Sequence, residues 1–224
     1  MIGHYRAVLF DLDGTLLNTL EDITDSMNEA MKRLNLGFVG INLIKALVGN
    51  GVGELVNGVL AQTGGAYSPE MKDRLLAEYR AVYDKQSAVK TKPYDGIPQM
   101  LDWLKGKGIL TGVLSNKNHK NTLDVLQYYF PNHMFDFAAG YREGAPRKPD
   151  PAGVYEFCET LGLSAGEVLF AGDSEVDMET GRNAGIDCVG VLWGYRDEGV
   201  LTRCGAKALI KSPGELMKFF LQLK

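Results

Sequence analysis

Short runs of apolar residues alternate along the chain with longer stretches in which apolar residues recur every three or four positions. A short apolar run is typical of a buried strand, and the longer period is typical of a helix that buries one face. The runs that predict strands are 7–10, 109–114, 168–171 and 188–192, with weaker candidates at 135–138 and 208–210. Strands that alternate with helices form parallel sheets covered by helices on both faces. The pattern therefore predicts an α/β fold, a doubly wound parallel sheet with a Rossmann-like core.

One long segment interrupts this alternation directly after the first predicted strand. From about residue 16 to residue 86 the spacing of apolar residues is helical, and no run predicts a convincing strand. Residues 84–95 carry several lysines and few apolar side chains, which is typical of a linker. We therefore predict two domains, an α/β core made of residues 1–15 and 87–224 and a helical cap made of residues 16–86.

Polar residues follow the predicted strands at the edge where open parallel sheets bind their ligands. The first strand ends in DLDGT (Asp11–Thr15), the second in SNK (Ser115–Lys117), and the strand at 168–171 in GDSEVD (Gly172–Asp177). Asp11 and Asp13 are two positions apart, so on an extended chain both side chains point to the same face and their charges repel. This spacing predicts a bound metal ion or a shared proton.

Composition and charge exclude several kinds of partner. The 24 basic and 28 acidic residues give a net charge of −4, without the basic excess of a general nucleic-acid binder. No apolar run approaches the roughly 20 residues that a membrane span needs, and we find no basic and apolar leader. The three cysteines, Cys158, Cys188 and Cys204, form no CxxC pair, which favours a reducing compartment. We expect a cytoplasmic protein that binds a small molecule, with no nucleic acid and no membrane, and these patterns do not predict an oligomeric state.

The motifs together resemble those of the haloacid dehalogenase-like phosphohydrolases. DxDGT at Asp11–Thr15, a hydroxyl residue after a strand at Ser115, a lysine at Lys148 in RKPDP, and GDSxxD at Gly172–Asp177 occur in the family's order. The resemblance implies a phosphoryl-transfer site that uses Mg²⁺ and acts on a small phosphorylated metabolite. Within the family, the segments GNG (Gly49–Gly51), LSNK and VLWGY are most similar to those of the phosphoglycolate phosphatase group.

The resemblance also implies roles for the acidic residues. Asp11 would be the nucleophile that forms an aspartyl phosphate, and Asp13 would protonate the leaving oxygen and then activate water. The side chains of Asp11 and Asp173 and the backbone carbonyl of Asp13 would bind Mg²⁺. Asp177 would act through a water molecule or position Lys148, with Ser174 beside it in the outer layer of the site.

The remaining candidate residues would contact the phosphoryl group or the rest of the substrate. Ser115 and Asn116 would hold the phosphoryl oxygens, and Lys148 would offset the repulsion between two anions. The other candidates for substrate binding are Thr15, which would also brace the turn after the first strand, and the loop residues Gly49, Asn50 and Gly51 of the predicted cap.

Several functions share these motifs and stay open at this point. The preferred function is a Mg²⁺-dependent phosphatase that hydrolyses a small phosphomonoester similar to 2-phosphoglycolate. The alternatives are a phosphosugar mutase or a pyrophosphatase on the same core, which the core motifs do not exclude. A receiver-type phosphorylation switch, which is not an enzyme, also uses a phosphorylated aspartate, a hydroxyl residue and a lysine, but it lacks the long helical insertion and the late GDSxxD motif.

Overall fold

The computed structural model describes residues 5–64, 67–133 and 135–221. It divides into two compact units, which we call the core unit (1–17 and 93–224) and the inserted unit (18–92). In the described ranges, no helix combines the length and the apolar character that a bilayer crossing requires.

Strands and helices alternate over most of the core unit. The strands in chain order are β1 (Ala7–Phe10), β2 (Leu17–Asn18), β3 (Lys92–Pro93), β4 (Leu110–Asn118), β5 (Phe137–Tyr141), β6 (Val168–Gly172), β7 (Asp187–Val191) and β8 (Ala208–Ile210). The helices are α1 (Leu20–Arg33), α2 (Ile41–Leu47), α3 (Val52–Gln62), α4 (Pro69–Gln86), α5 (Ile97–Gly106), α6 (His119–Tyr129), α7 (Ala152–Leu161), α8 (Glu175–Ala184), α9 (Glu198–Arg203) and α10 (Pro213–Leu216). Short 3₁₀ turns cover Ala165–Glu167 and Met217–Phe219.

Within the described residues, six of these strands form one parallel sheet in the order β5-β4-β1-β6-β7-β8. The strand β1 lies between β4 and β6, so the strand order reverses beside it. The carboxyl ends of strands at such a reversal form the crevice in which this fold class binds ligands. The predicted doubly wound parallel sheet is confirmed.

Both faces of this sheet are buried, because alternate residues of a strand point to opposite sides. Val8 and Phe10 belong to the apolar cluster that contains the buried residues of α5 and α6. Ala7 and Leu9 belong to a second cluster, which contains the buried residues of α7 together with Met178 and Ala184 of α8. The burial of β1 on two sides explains why its sequence is apolar throughout and not alternating.

The inserted unit consists mainly of the helices α1 to α4, and α1 packs against α4. The carboxylate of Asp22 on α1, which is only 2% exposed, accepts the backbone N–H groups of Val89, Lys90 and Thr91 at 3.1, 2.9 and 2.8 Å. The segment that leads out of the unit is therefore fixed to the unit's own first helix.

The boundaries of the units differ from the predicted domain limits of 15/16 and 86/87, since they lie at 17/18 and 92/93. Leu16 and Leu17 are fully buried in the apolar cluster of the sheet, which places them in the core unit. Residues 89–91 are bound to Asp22, which places them in the inserted unit. Composition alone indicated neither contact.

The strand β4 is longer than predicted, because it continues beyond Leu114 to Asn118. Its pairing with β5 shifts register between these two residues. Ser115–Lys117, which the sequence placed after the strand, therefore lie within its irregular last part. A bulge of this kind lets a strand carry polar residues at the edge of a sheet and changes where they point.

Replacement of Asp22 by alanine should destabilise the inserted unit. Asp22→Ala leaves three N–H groups without their acceptor, and we expect a loss of about 3 kcal/mol in the free energy of unfolding, measured by urea titration. Amide hydrogen exchange at residues 89–91 should accelerate. The matched control is Asp25→Ala, which removes an exposed ion pair with Lys90 and should cost less than about 1 kcal/mol. Equal effects of the two substitutions would contradict the structural role of Asp22.

Candidate functional site

A lysine bridges two carboxylates at the carboxyl end of β1. The Lys148 ammonium donates hydrogen bonds of 2.7 Å to Asp11 Oδ1 and of 2.7 Å to Asp177 Oδ1. Asp11 follows the last residue of β1, and Asp177 lies in the first turn of α8, which follows β6. The side chain of Lys148 is 3% exposed, so these two acids replace water as the hydrogen-bond partners of its ammonium group. The topology thus brings together three residues that are far apart in the sequence.

Asp177 also caps the helix on which it lies. Its Oδ2 accepts hydrogen bonds from the Ser174 hydroxyl at 2.7 Å and from the Ser174 backbone N–H at 3.0 Å. Ser174 is the N-cap residue of α8, and the two side chains form a capping box. Helix capping and the contact with Lys148 therefore use the two oxygens of one carboxylate, which fixes its orientation.

Asp173, directly before this cap, is 1% exposed and is held from two sides. Its Oδ1 accepts a hydrogen bond from the Thr15 hydroxyl at 3.2 Å, and its Oδ2 accepts one from the Tyr195 backbone N–H at 2.7 Å. Gly14 has a positive φ of 93°, and a Cβ atom there would collide with the Asp173 carboxylate. The glycine of DLDGT is therefore required both for the turn and for the close approach of the two strand ends.

Burial and mutual repulsion change the acidity of these groups. Burial, together with the charge of Asp177, raises the pKa of Asp11 to about 7, although the Lys148 ammonium opposes the shift. Burial and the charges of Asp11 and Asp177 raise the pKa of Asp173 well above its usual range. Burial lowers the pKa of Lys148, but Asp11 and Asp177 together hold it above its ordinary value. The surroundings therefore do not fully stabilise the ionised forms of Asp11 and Asp173.

Three of these carboxylates are close enough to share a metal ion. Asp11, Asp173 and Asp177 are buried, and each offers one oxygen within 4.8 Å of the oxygens of the others. Carboxylate oxygens are the ligands of hard divalent cations. The sequence predicted Asp11 and Asp173 as side-chain ligands and Asp13 through its backbone carbonyl. The side-chain cluster contains Asp11, Asp173 and also Asp177, and the role of the Asp13 carbonyl stays a prediction.

Asp13 has a different partner from the other acids. The Lys117 ammonium lies 2.9 and 3.1 Å from the two oxygens of the Asp13 carboxylate. The two side chains are 7% and 13% exposed. The Lys117 backbone N–H also donates to the Ser115 hydroxyl at 3.2 Å, so that Ser115 and Asp13 both contact the same residue.

The structure gives Asn116 and Thr15 contacts within the protein. The Asn116 amide donates to the Lys148 backbone carbonyl at 2.9 Å and so fixes the segment that carries the bridging lysine. The Thr15 hydroxyl donates to Asp173, which follows β6, and this contact differs from the predicted brace of the turn after β1. Gly49, Asn50 and Gly51 lie between α2 and α3 of the inserted unit, and Gly51 is the N-cap residue of α3. Their contact with substrate stays a prediction.

Three aromatic residues lie near the acids. The sequence leaves open whether Trp193 and Tyr195 lie at the border of the site or in the core, and it assigns no role to Tyr94. The Trp193 indole N–H donates to the Thr15 carbonyl at 2.9 Å, and Tyr195 contacts Asp173 through its backbone. Burial and the charges of Asp173 and Asp13 raise the pKa of Tyr94. Such contacts involve backbone groups or residues distant in the sequence, so they leave no motif. Lys117, in contrast, had a signal in the sequence. It lies two positions after the candidate Ser115, and residues i and i+2 of a strand point to the same face.

Comparison with known proteins agrees with this geometry. The sequence profile of the haloacid dehalogenase-like hydrolases matches residues 8–191. The phosphoglycolate phosphatase of Pasteurella multocida (strain Pm70) is 33% identical over 195 residues, which cover 85% of this chain and 87% of that protein. The phosphoglycolate phosphatase of Aquifex aeolicus (strain VF5) is 34% identical over 194 residues, which cover 85% and 86% of the two chains.

Structural comparison gives the same family. A crystal structure from Lactobacillus delbrueckii subsp. bulgaricus, described as a candidate phosphoglycolate phosphatase, has a TM-score of 0.91 and 29% sequence identity to this chain. The similarity covers 99% of this chain and all of that one. On the strength of the matching profile, the curated relatives and the shared fold, this chain belongs to the haloacid dehalogenase-like hydrolases.

Proposed function

We propose that this protein is a Mg²⁺-dependent phosphatase that hydrolyses a small phosphomonoester of the 2-phosphoglycolate type through an aspartyl phosphate. The observation that carries the proposal is the buried cluster in which Lys148 bridges Asp11 and Asp177, while Asp173 offers an oxygen within 4.8 Å of oxygens of both acids. The curated relatives named phosphoglycolate phosphatase support the substrate class. The free cysteines agree with the cytoplasmic location that we propose.

The donor set fits a divalent cation. The carboxylates of Asp11, Asp13, Asp173 and Asp177 face the ammonium groups of Lys148 and Lys117, so the fully ionised site has two more negative than positive charges. One divalent cation offsets this excess. Oxygen ligands alone favour Mg²⁺, which we propose is held by Asp11 and Asp173 with the Asp13 carbonyl. When bound, Mg²⁺ polarises a phosphoryl oxygen and neutralises developing charge.

The residues around this cation divide the work of phosphoryl transfer. Asp11 attacks phosphorus and takes up the phosphoryl group as an acyl phosphate, which water then hydrolyses. Lys148, fixed by Asp177 and by the Asn116 contact with its backbone, places a positive charge beside the nucleophile and reduces the repulsion between two anions. Ser115 and the backbone N–H of Asn116 hold the phosphoryl oxygens.

Asp13 serves the leaving group. It protonates the departing alkoxide, and it then takes a proton from the water that attacks the acyl phosphate. An alkoxide is a poor leaving group without this proton, so the second acid points to ester oxygens as the leaving atoms. We propose that Gly49, Asn50 and Gly51 contribute backbone N–H groups to the substrate.

A screen for phosphate release tests the substrate class. The substrates are 2-phosphoglycolate, pyrophosphate, sugar phosphates and nucleotides, each with Mg²⁺ and with EDTA. We expect the highest kcat/KM with 2-phosphoglycolate, no release in EDTA, and recovery when Mg²⁺ is returned. A preference for pyrophosphate, or phosphoryl transfer between sugar phosphates without release, would replace the proposal by the pyrophosphatase or the mutase. Phosphorylation without turnover would indicate the receiver-type switch.

Replacement of the nucleophile should abolish turnover. Asp11→Asn keeps the size of the side chain but removes the attacking carboxylate, and we expect kcat to fall by about 10⁴-fold or more. The matched control is Asp102→Asn, an exposed position on α5, which should retain activity. Steady-state phosphate release measures both. Substantial turnover by Asp11→Asn would remove Asp11 as the nucleophile.

The effect of replacing Asp13 should depend on the leaving group of the substrate. Asp13→Asn should lower kcat/KM for ethyl phosphate by about 10³-fold, since an alkoxide needs a proton to leave. For p-nitrophenyl phosphate, whose leaving group is a stable anion, the loss should be about tenfold. The comparison uses one variant and two esters, so differences in protein concentration cancel. Equal losses with both esters would show that Asp13 does not act as the acid.

A further inference from the structure

We propose that Lys117 binds an anionic group on the leaving-group side of the substrate and so selects phosphomonoesters of carboxylate-bearing alcohols. The inference rests on the proposed function, and it assigns part of the substrate selection to the core unit, since Lys117 is a residue of β4. The substrate class is the phosphate esters of small hydroxy acids.

The contact between Lys117 and Asp13 places the ammonium group beside the leaving atom. Asp13, as the acid, contacts the departing ester oxygen, and the Lys117 ammonium lies 2.9 and 3.1 Å from its carboxylate oxygens. In a phosphorylated 2-hydroxy acid a single carbon separates the ester oxygen from the carboxylate. A carboxylate on that carbon is therefore within the range of the same ammonium group, which has three donor protons.

Burial makes the charge of Lys117 effective. The side chain is 7% exposed, and charges that are removed from water interact more strongly than surface charges. Lys148, the other ammonium of the cluster, is bound by Asp11 and Asp177 on the nucleophile side. The two lysines thus serve opposite sides of the phosphorus atom, Lys148 the attacking oxygen and Lys117 the leaving group.

The charge balance of the site supports this role. With a divalent cation, Lys117 and Lys148 together neutralise the four carboxylates described above. Removal of the Lys117 charge makes the leaving-group side of the site more negative by one unit, whether or not Asp13 carries its proton, and so disfavours a substrate that carries a carboxylate in addition to its phosphate. An ester with an uncharged alkyl group does not meet this repulsion at its leaving group.

A pair of esters that differ mainly in the carboxylate tests the inference. We compare kcat/KM for 2-phosphoglycolate and for ethyl phosphate in the wild type and in Lys117→Met, which keeps the length of the side chain and removes its charge. We expect the wild type to prefer 2-phosphoglycolate. In the variant, kcat/KM should fall about 100-fold for 2-phosphoglycolate, mainly through KM, and less than about fivefold for ethyl phosphate. The intrinsic reactivity of each ester cancels in the ratio of variant to wild type.

The control variants separate binding from general damage. Lys117→Arg keeps the positive charge and should retain most of the preference. Lys105→Met removes an exposed lysine near the end of α5 and should change neither ester. Thermal unfolding by circular dichroism verifies that each variant is folded, and Lys117→Gln replaces Lys117→Met if the latter unfolds.

The outcomes distinguish this inference from the proposed function. Equal losses for the two esters would show that Lys117 acts only on Asp13 and would overturn the inference. No loss in the variant, or a wild type without preference for the carboxylate, would overturn it too. In each of these cases the phosphatase proposal stands. Absence of Mg²⁺-dependent release from every ester, including p-nitrophenyl phosphate, would remove the proposed function and this inference with it.

Discussion

Lys148 lies between Asp11 and Asp177, away from water, and the core unit has to hold these three charged side chains in contact. A charge buried without a partner costs several kcal/mol, so each member of the cluster must be brought to its place by a rigid element. β1 carries Asp11, the first turn of α8 carries Asp177, and the Asn116 amide fixes the backbone of the lysine. The central position of β1 in the sheet is what allows these elements to meet.

The same cluster is stabilised incompletely by the protein itself. Burial and like charges raise the pKa values of Asp11 and Asp173, which shows that the contact with Lys148 does not fully compensate the charges of this cluster. Repulsion of this kind is typical of functional sites, where local stability is lower than the sequence could achieve with other residues. In the function that we propose, a divalent cation offsets the excess of carboxylates, and the two lysines act on opposite sides of the phosphoryl group.

Much of this arrangement could be predicted from the sequence, because its main elements have local signals. The apolar run of β1 and the acids at strand ends identified the sheet and its binding edge. Phe135 shows where such signals fail: it was assigned to a strand, but β5 begins at Phe137, and the Phe135 ring packs against Phe130 and His133 instead. An apolar residue gives the same signal in either setting. The backbone contact of Tyr195 with Asp173 and the contact of Asp177 with Lys148 depend on folding and have no sequence pattern, whereas the bond between Asp177 and Ser174 is a local capping box.

Asp22 has a consequence for how proteins of this architecture can diverge. It binds residues 89–91 to the first helix of the inserted unit, and the short strands β2 and β3, where the chain enters and leaves, pair with each other. The inserted unit is therefore a domain whose two ends are adjacent. A host fold tolerates insertions with adjacent ends, so recombination can exchange the whole inserted unit between genes while the sheet and its acids are inherited unchanged.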